Sequence, residues 1–447
     1  MNQKKKHNNH TSHNKRFVFT GLALLFASVA VAAKPLPNSA PERQGMSSER
    51  LQLLDAMAQK YVDEGRVAGI VNIVLRNGKV VYFNAAGKKG LEDDRDLAKD
   101  DLFRIYSMTK PITAVALMQL YEQGKFQLRD PVHKFVPELK DLKVLGADGQ
   151  FEDVVEPMTM QQLFTHTTGL SYGFLPQFDP VDAAYAKADV LAAKDLDDFV
   201  LRVGKLPLKF QPGAQYHYSI ASDIAGLIVQ RLSGMRFDEY LKENIFLPLN
   251  MKNTFFAVPS DKQERLLPNY FFDPSAGKLI NVVDAPPPFK PRAGISGHDF
   301  KKVTMFSGGG GLVSTAMDYA RFAEMMRNGG SLNGKRILSP KTVAYMSINH
   351  LRPGIGMSGF GEAPIVGTDQ TGLGFGLGFG IVTDTAATGV MGSAGEFNWG
   401  GAAGTIFWID PVEELVVVSM IQLMLSPWPL RSDMQIATYQ ALTESYE

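Results

Sequence analysis

The chain has 447 residues, of which 45% are hydrophobic, so it can bury a large core, and more than one domain is the default expectation. Lysine plus arginine and aspartate plus glutamate both number 46, which gives a formal net charge of zero. This balance provides no basic stripe for nucleic acid and no acidic tract of the disordered kind. The absence of cysteine excludes disulfides and thiolate chemistry.

Residues 1–32 have the order of a secretory signal peptide. A polar, basic segment over residues 1–16 precedes the apolar run FVFTGLALLFASVAVAA, and Ala30-Val31-Ala32 fits a small-residue cleavage site. An uncleaved membrane anchor is the alternative, although the run only reaches the lower length limit for a membrane span. We therefore expect an exported protein of a bacterial periplasm, with residues 33–46 as a proline-containing linker.

The mature chain begins with one predicted helix and one predicted hairpin. SSERLQLLDAMAQKYVDEG repeats apolar residues at helical spacing. The residues on the apolar face are Leu51, Leu54, Met57 and Tyr61. GIVNIVLRNGKVVYFNAAG predicts two strands joined at Asn77-Gly78, which is the strongest short-range hairpin signal. Near the other end, TIFWID and LVVVSMIQL predict a second hairpin, and a final helix begins at about Ser432.

Strands at both chain ends and helices between them predict an α+β fold of the α/β-sandwich type. One antiparallel sheet is built from the two chain ends and flanked by helices, and a mostly helical domain is inserted in the middle. The expected boundaries are 47–104 for the N-terminal part of the sheet domain, 105–305 for the helical insert and 306–447 for the C-terminal part. The junction would form the ligand-binding cleft.

A serine and a lysine stand three residues apart at the head of the apolar stretch FRIYSMTKPITAVALMQLYEQGK. Of three Ser-x-x-Lys matches, only Ser107…Lys110 opens a long helix, and Pro111 places the serine at or just before the helix N-terminus. Residues i and i+3 share a helix face, and burial lowers the pKa of a lysine, so the neutral amine can take a proton from the serine. On this pattern alone, a helix-capping serine with a snorkelling lysine is the alternative.

A second serine lies in a literal Gly-x-Ser-x-Gly pattern, Gly169-Leu-Ser171-Tyr-Gly173. A nucleophile elbow needs a strand before the serine and a helix after it, whereas the flanking segments predict a loop. The histidines of the mature chain are scattered and have none of the spacings of a zinc helix or knuckle. We therefore expect Lys110 to be the base, and we expect no metal or organic cofactor.

Two further stretches carry candidate site residues. FQPGAQYHYSIASDIAGLIVQRLSGM places Tyr218 just ahead of an amphipathic helix. GEFNWGGAAGTIFWIDP places Trp399-Gly400-Gly401-Ala402 at the start of a predicted strand, where glycines let the backbone approach a ligand closely. Taken alone, each stretch has a structural explanation, as a packing tyrosine and as a tight turn.

Together the three stretches resemble the serine β-lactamase and penicillin-binding-protein superfamily, most closely the class-C-like branch that includes family VIII carboxylesterases. LFTHTTGL (163–170) and SGGGGLVSTAMDYARFAEMMRNGG (307–330) extend the resemblance over nearly the whole mature chain. It implies that Ser107 is the acylated nucleophile, with Lys110 as its proton acceptor and Tyr218 completing the proton relay. It also implies an oxyanion hole made by the backbone N–H groups of Ser107 and Ala402.

The sequence departs from the β-lactamases at two points. Ile220 stands where they carry an asparagine two residues after the tyrosine, and Trp399-Gly400-Gly401 stands where they carry Lys-Thr-Gly. The missing groups would bind the amide and the carboxylate of a β-lactam or a D-Ala-D-Ala peptide, so their absence favours a neutral ester. The residues expected to contact substrate are Trp399, Gly400, Gly401 and Ile220.

The resemblance therefore predicts a serine hydrolase, specifically a carboxylesterase acting on small or medium acyl esters. A β-lactamase, a D,D-peptidase or a D-amino-acid amidase is the alternative within the superfamily. A non-catalytic penicillin-binding-like sensor is the alternative outside catalysis. The expected partner is a small ester or amide, with no nucleic acid, no metal, and a membrane only through the signal peptide or an uncleaved anchor. The oligomeric state stays open.

Overall fold

The computed structural model describes residues 1–3, 35–284, 300–357 and 371–446. The chain divides into two units, Met1–Ala33 and Lys34–Glu447, and the helices and strands named below belong to the second. The predicted signal peptide lies almost wholly outside the described residues. Among the residues that are described, we find no helix with the length and apolar character needed to span a membrane.

Strands from both chain ends enclose a mostly helical middle. The strands are β1 Gly69–Arg76, β2 Lys79–Gly90, β3 Asp93–Asp96, β4 Phe103–Arg104, β5 Lys143–Leu145, β6 Phe151–Asp153, β7 Tyr270–Asp273, β8 Lys278–Asn281, β9 Val313–Ser314, β10 Ser331–Leu332, β11 Lys335–Arg336, β12 Leu373–Phe375, β13 Gly380–Val382, β14 Phe397–Gly400, β15 Ile406–Asp410, β16 Leu415–Met420 and β17 Leu423–Met424. The helices are α1 Ser48–Asp63, α2 Thr109–Glu122, α3 Met160–Phe164, α4 Pro180–Ala188, α5 Leu196–Val203, α6 Ala221–Ser233, α7 Phe237–Leu241, α8 Leu247–Leu249, α9 Ala316–Arg327, α10 Pro340–Met346, α11 Thr385–Thr388 and α12 Leu430–Tyr439.

One antiparallel sheet uses strands from both chain ends, which confirms the prediction. Its order is β12–β13–β14–β15–β16–β1–β2–β3, so that β1 from the N-terminal part pairs directly with β16 from the C-terminal part. The β1–β2 hairpin turns at Asn77 and Gly78, whose φ angles of 52° and 71° are those that this tight turn requires. The predicted second hairpin is β15–β16, and the predicted final helix is α12.

Helices cover both faces of the sheet. Successive side chains of a strand face opposite sides, so Val416 and Val418 of β16 join the larger core with α2 and α9, while Val417 joins a smaller core with α1 and α12. Strands β15 and β16 are buried along their whole length as a result. This layering is the predicted α+β arrangement, in which each apolar face of the sheet needs a helical layer to exclude water.

The helical middle leaves and rejoins the sheet part at one place. Strand β4 pairs antiparallel with β9, so the two ends of the intervening segment lie side by side. Lys34–Glu447 is nevertheless one compact unit, and the domain boundaries at 105 and 305 stay a prediction. Helix α2 opens this segment and is buried on every side from Thr109 to Met118, as its apolar sequence predicted.

Candidate active site

Ser107 lies in a single 3₁₀ turn, Tyr106–Met108, directly ahead of α2. Tyr106 has a φ of 40°, in the left-handed region that strains a residue other than glycine. The Tyr106 hydroxyl accepts a hydrogen bond from Asn269 Nδ2 at 3.2 Å, which helps to hold the strained turn. The serine is therefore fixed at the N-terminus of a buried helix, as predicted, with its side chain partly exposed.

Lys110 is only 2% exposed, and its amine lies among three oxygen atoms. Lys110 Nζ is 3.3 Å from Ser107 Oγ, 2.9 Å from the Tyr172 hydroxyl and 2.7 Å from the carbonyl oxygen of Gly309. Burial lowers the pKa of Lys110 to about 7, and the negative charge of Asp223 opposes that shift. The snorkelling alternative is wrong, because the side chain is enclosed by protein and does not reach solvent.

The neutral amine is placed to act as a base toward Ser107. It can donate its two hydrogen atoms to Gly309 and Tyr172, which leaves the lone pair for Ser107 Oγ. From the other side, the Tyr218 hydroxyl donates to Ser107 Oγ at 2.6 Å. Burial raises the pKa of Tyr218 far above its usual value of about 10, so this phenol keeps its proton. The arrangement thus offers a proton acceptor at Lys110 and a proton donor at Tyr218.

Asp223 is a buried carboxylate that binds two residues in contact with Lys110. The Tyr172 hydroxyl donates to Asp223 Oδ2 at 3.4 Å, and the N–H of Gly309 donates to Oδ1 at 3.0 Å. The Ser307 hydroxyl also donates to Oδ1. Burial raises the pKa of Asp223, while the charge of Lys110 opposes that shift. A Cβ at Gly309 would collide with the carboxylate and with the Tyr172 hydroxyl, so this contact needs glycine.

Reasoning from sequence missed Tyr172, Asp223 and Gly309. Asp223 left a signal, because it is a charged residue on the buried side of amphipathic helix α6. The run of four glycines over 308–311 left a second signal, since glycines mark close approaches of the backbone. Tyr172 left none, because it belongs to a loop that is placed by tertiary contacts.

Residues 399–402 end one strand rather than beginning the next. Strand β14 stops at Gly400, and the chain then turns with Gly401 N–H donating to the carbonyl of Thr405 at 2.7 Å. The prediction of a strand start was wrong because the glycines permit a turn here. A Cβ at Gly401 would meet the carbonyl oxygen of Ile105 and the Thr405 hydroxyl. Glycine therefore lets this turn pack directly against the residues that precede Ser107.

Aromatic rings cluster around Tyr218, the neighbour of Ser107. The Tyr218 ring centroid is 5.6 Å from that of Trp399 and 5.5 Å from that of Tyr172. Phe174 is 51% exposed and stacks on Tyr172 at 4.8 Å, while Phe375 meets Trp399 edge-on at 5.1 Å. These rings form an aromatic wall that adjoins Ser107 through Tyr218, and Trp399 supplies the ring predicted at that position.

Ile220 is fully buried. It has no exposed surface, and it packs in the larger core where α6 begins. The expectation that Ile220 contacts substrate directly is therefore wrong, because its side chain points into the protein. The contacts predicted for Trp399, Gly400 and Gly401 stay predictions.

Ser171 belongs to a buried polar cluster in the loop between α3 and α4, which confirms that it is not on a nucleophile elbow. Its Oγ is 2.5 Å from Asp182 Oδ1 and 3.3 Å from His217 Nε2, and it accepts the N–H of Gly173 at 3.0 Å. Lys209 Nζ donates to the same Asp182 oxygen at 3.0 Å. Across the described part of the chain, we find no group of three or more His, Cys, Asp or Glu side chains arranged to hold a metal.

A helix-covered antiparallel sheet, with a buried lysine one helical turn beyond a partly exposed serine, defines a serine hydrolase of the β-lactamase and penicillin-binding-protein fold. The chain belongs to the β-lactamase family, since the family model described as Beta-lactamase matches residues 54–438.

Three known proteins are similar to this chain over most of its length. Protein Rv1367c of Mycobacterium tuberculosis (strain ATCC 25618 / H37Rv) is 33% identical over 374 residues, which cover 82% of this chain and 88% of that protein. Esterase EstB of Burkholderia gladioli is 31% identical over 366 residues, which cover 80% and 86%. The solved structure of "EstCE1, a hydrolase with promiscuous acyltransferase activity" matches with a TM-score of 0.72 at 25% identity, and covers 89% of this chain and 99% of that one.

Proposed function

We propose that this protein is a carboxylesterase that hydrolyses small or medium acyl esters through an acyl-enzyme on Ser107. The observation that carries the proposal is the aromatic wall, in which the Trp399 indole stands where a β-lactamase carries a lysine. An indole offers no ammonium group to a substrate carboxylate, and an apolar wall makes a charged substrate costly to desolvate. The likeness to an esterase and to a hydrolase supports the same substrate class.

The proposed acylation step uses the two polar neighbours of Ser107. Ser107 Oγ gives its proton to Lys110 Nζ and forms a bond to the ester carbonyl carbon. The carbon–oxygen bond to the alcohol then breaks, and the departing oxygen takes a proton from Tyr218, which is replenished from Lys110. Water hydrolyses the acyl-enzyme by the reverse proton movements. Positioned proton transfer of this kind contributes roughly 10²- to 10⁴-fold to a rate.

Two backbone N–H groups are proposed as the oxyanion hole. The carbonyl of Tyr106 is engaged in the first turn before α2, and the carbonyl of Gly401 accepts the N–H of Gly404 at 2.9 Å. In a trans peptide the N–H points away from the carbonyl, so these bonds fix the directions of the Ser107 and Ala402 N–H groups. Each such donor is worth about 3 kcal/mol of transition-state stabilisation.

The purified protein should turn over p-nitrophenyl butyrate with a kcat/KM on the order of 100-fold above that for nitrocefin, because a site without the matching polar groups discriminates strongly against the lactam. Trp399→Lys should lower the ratio of the two kcat/KM values, because it replaces a neutral ring of the aromatic wall with a charged side chain. The matched control Trp399→Phe should preserve the ratio. Faster turnover of nitrocefin, or of a D-Ala-D-Ala peptide, by the unaltered protein would overturn the ester assignment.

We also propose that the protein is exported to the periplasm, on the strength of the N-terminal pattern. Expression in a Gram-negative host, followed by fractionation and N-terminal sequencing, should give a periplasmic protein that begins at Ala33. The double variant Ala30→Leu, Ala32→Leu should remain uncleaved, because signal peptidase needs small residues there. A full-length, membrane-bound wild type would favour the anchor.

A further inference from the structure

Two buried histidines adjoin Tyr218, and the proposed reaction uses neither of them. His166 is 1% exposed and His217 is 3% exposed. His166 comes from LFTHTTGL, a segment that carries family resemblance but has no role in the steps above. It follows α3 with a φ of 54°, a left-handed conformation that costs free energy in residues other than glycine.

His166 binds the backbone on both sides of Tyr218. Its carbonyl oxygen accepts the N–H of His217 at 2.8 Å, and its ring Nδ1 accepts the N–H of Ser219 at 3.2 Å. The Ser219 hydroxyl lies 3.3 Å from the same nitrogen. His217 and Ser219, the residues before and after Tyr218, are therefore both hydrogen-bonded to His166, one to its backbone carbonyl and the other to its ring.

The imidazole of His166 also packs against the phenol itself. The centroids of the His166 and Tyr218 rings are 4.8 Å apart. Tyr216 and Phe375 meet the other parts of the imidazole edge-on, at 6.1 Å and 5.5 Å. The ring that touches Tyr218 is thus held in place by two further aromatic residues.

The hydrogen bond from Ser219 requires an unprotonated Nδ1, so the ring proton of neutral His166 belongs on Nε2. Burial, with the nearby charge of Lys110 as a smaller cause, lowers the pKa of His166 well below its usual value of about 6.5. The acceptor therefore persists over the whole pH range in which a Lys110 base would work.

We propose that His166 is a positioning residue that holds the Tyr218 hydroxyl at hydrogen-bond distance from Ser107, by clamping the backbone on both sides of the tyrosine. This inference rests on the proposed function, in which Tyr218 protonates the departing alcohol. A tyrosine that is free to shift by about 1 Å would lose the 2.6 Å bond to Ser107 Oγ, and a displacement of that size can cost on the order of 100-fold in rate.

Two variants separate the parts of the clamp. His166→Gly tolerates the left-handed backbone and removes both the ring and the acceptor. His166→Asn also tolerates that backbone and keeps an oxygen near the Nδ1 position, but removes the ring. His350→Asn is the matched control, because the His350 ring bonds to Gln161 and the Tyr345 carbonyl instead of touching Tyr218.

The readout is the dependence of kcat/KM on the leaving group, because kcat/KM reports acylation, whereas both butyrate esters leave the same acyl-enzyme to be hydrolysed. Ethyl butyrate releases an alkoxide that needs a proton, whereas p-nitrophenyl butyrate releases a stable phenolate that does not. His166→Gly should lower kcat/KM for the ethyl ester about 100-fold and for the p-nitrophenyl ester about 10-fold or less. His166→Asn should fall between His166→Gly and wild type, and His350→Asn should match wild type.

An equal loss of kcat/KM for both esters, or an unchanged kcat/KM with only a lower melting temperature, would overturn the positioning role. Equal losses in His166→Gly and His166→Asn would overturn the clamp, because the retained acceptor would then have no effect. Tyr218→Phe is measured in parallel. If Tyr218→Phe keeps full turnover of the ethyl ester, the proposed role of Tyr218 as the acid fails, whatever His166 does. If the wild type turns over neither ester, the proposed function itself fails.

Discussion

Replacing Ser107 with alanine should abolish covalent labelling and ester turnover while leaving the protein folded. Without this hydroxyl, Lys110 has no proton to accept and no acyl-enzyme can form, so kcat should fall by at least about 10⁴-fold. The Ser107 side chain is partly exposed, and its loss should change the free energy of unfolding by less than about 1 kcal/mol. Intact mass spectrometry after incubation with a fluorophosphonate, peptide mapping and thermal unfolding measure these outcomes.

Ser171→Ala is the matched control for Ser107→Ala. It should keep the fluorophosphonate adduct, because Ser171 is only 1% exposed and its hydroxyl is bonded to Asp182. Loss of the Ser171 hydroxyl removes a donor from a buried carboxylate, which should cost about 1 to 3 kcal/mol of unfolding free energy. An adduct on Ser171, or wild-type labelling of Ser107→Ala, would contradict the assignment of the nucleophile.

The elements that could be predicted are those whose signals are local. The Asn77-Gly78 turn fixes the β1–β2 hairpin from consecutive residues, and the helical spacing of Leu51, Leu54 and Tyr61 fixes the buried face of α1. The parallel pairing of β17 with β7 had no such signal. It joins short segments that are distant in the chain, and their contact depends on how the helical middle returns to the sheet.

The same distinction holds within the candidate site. Ser107 and Lys110 are neighbours on one helical turn, so their spacing predicts the contact before any tertiary structure is known. Tyr172 and Asp223 reach Lys110 from a loop and from another helix, and each alone is compatible with many other positions. The sequence also could not show whether Gly400 and Gly401 end one strand or begin the next, since glycine is compatible with both a strand end and a turn.

The protonation states of Lys110 and Tyr218 follow from burial, which acts on a cationic acid at the lysine and on a neutral acid at the tyrosine. Burial disfavours whichever form is charged, so it favours a neutral amine at Lys110 and a neutral phenol at Tyr218. A single apolar environment thus favours a proton acceptor on one side of Ser107 and a proton donor on the other. Because Lys110 Nζ and the Tyr218 hydroxyl both contact Ser107 Oγ, the two groups titrate as a coupled pair.

Replacing Lys110 with methionine should lower kcat/KM by roughly 10³- to 10⁴-fold, because it removes the base while keeping an apolar side chain of similar length in the buried site. In the wild type, kcat/KM should rise as the pH increases through about 7, since burial lowers the pKa of Lys110 to about 7 and the neutral amine is the active form. This rise should be absent from the residual activity of Lys110→Met. Lys89→Met, which breaks a mostly buried ion pair with Asp101, is the control for loss of a lysine and should keep the wild-type pH profile.

Asp223→Asn tests the electrostatic part of this account. The Asp223 carboxylate favours the ammonium form and therefore raises the pKa of Lys110 relative to burial alone. Asparagine keeps an oxygen for the Ser307 hydroxyl and the Gly309 N–H but carries no charge, so the pKa of Lys110 should fall. The rising limb of kcat/KM should accordingly move to lower pH in Asp223→Asn, as measured with p-nitrophenyl butyrate at fixed ionic strength. A limb that stays in place or moves to higher pH would mean that Lys110 is not the group whose deprotonation activates Ser107.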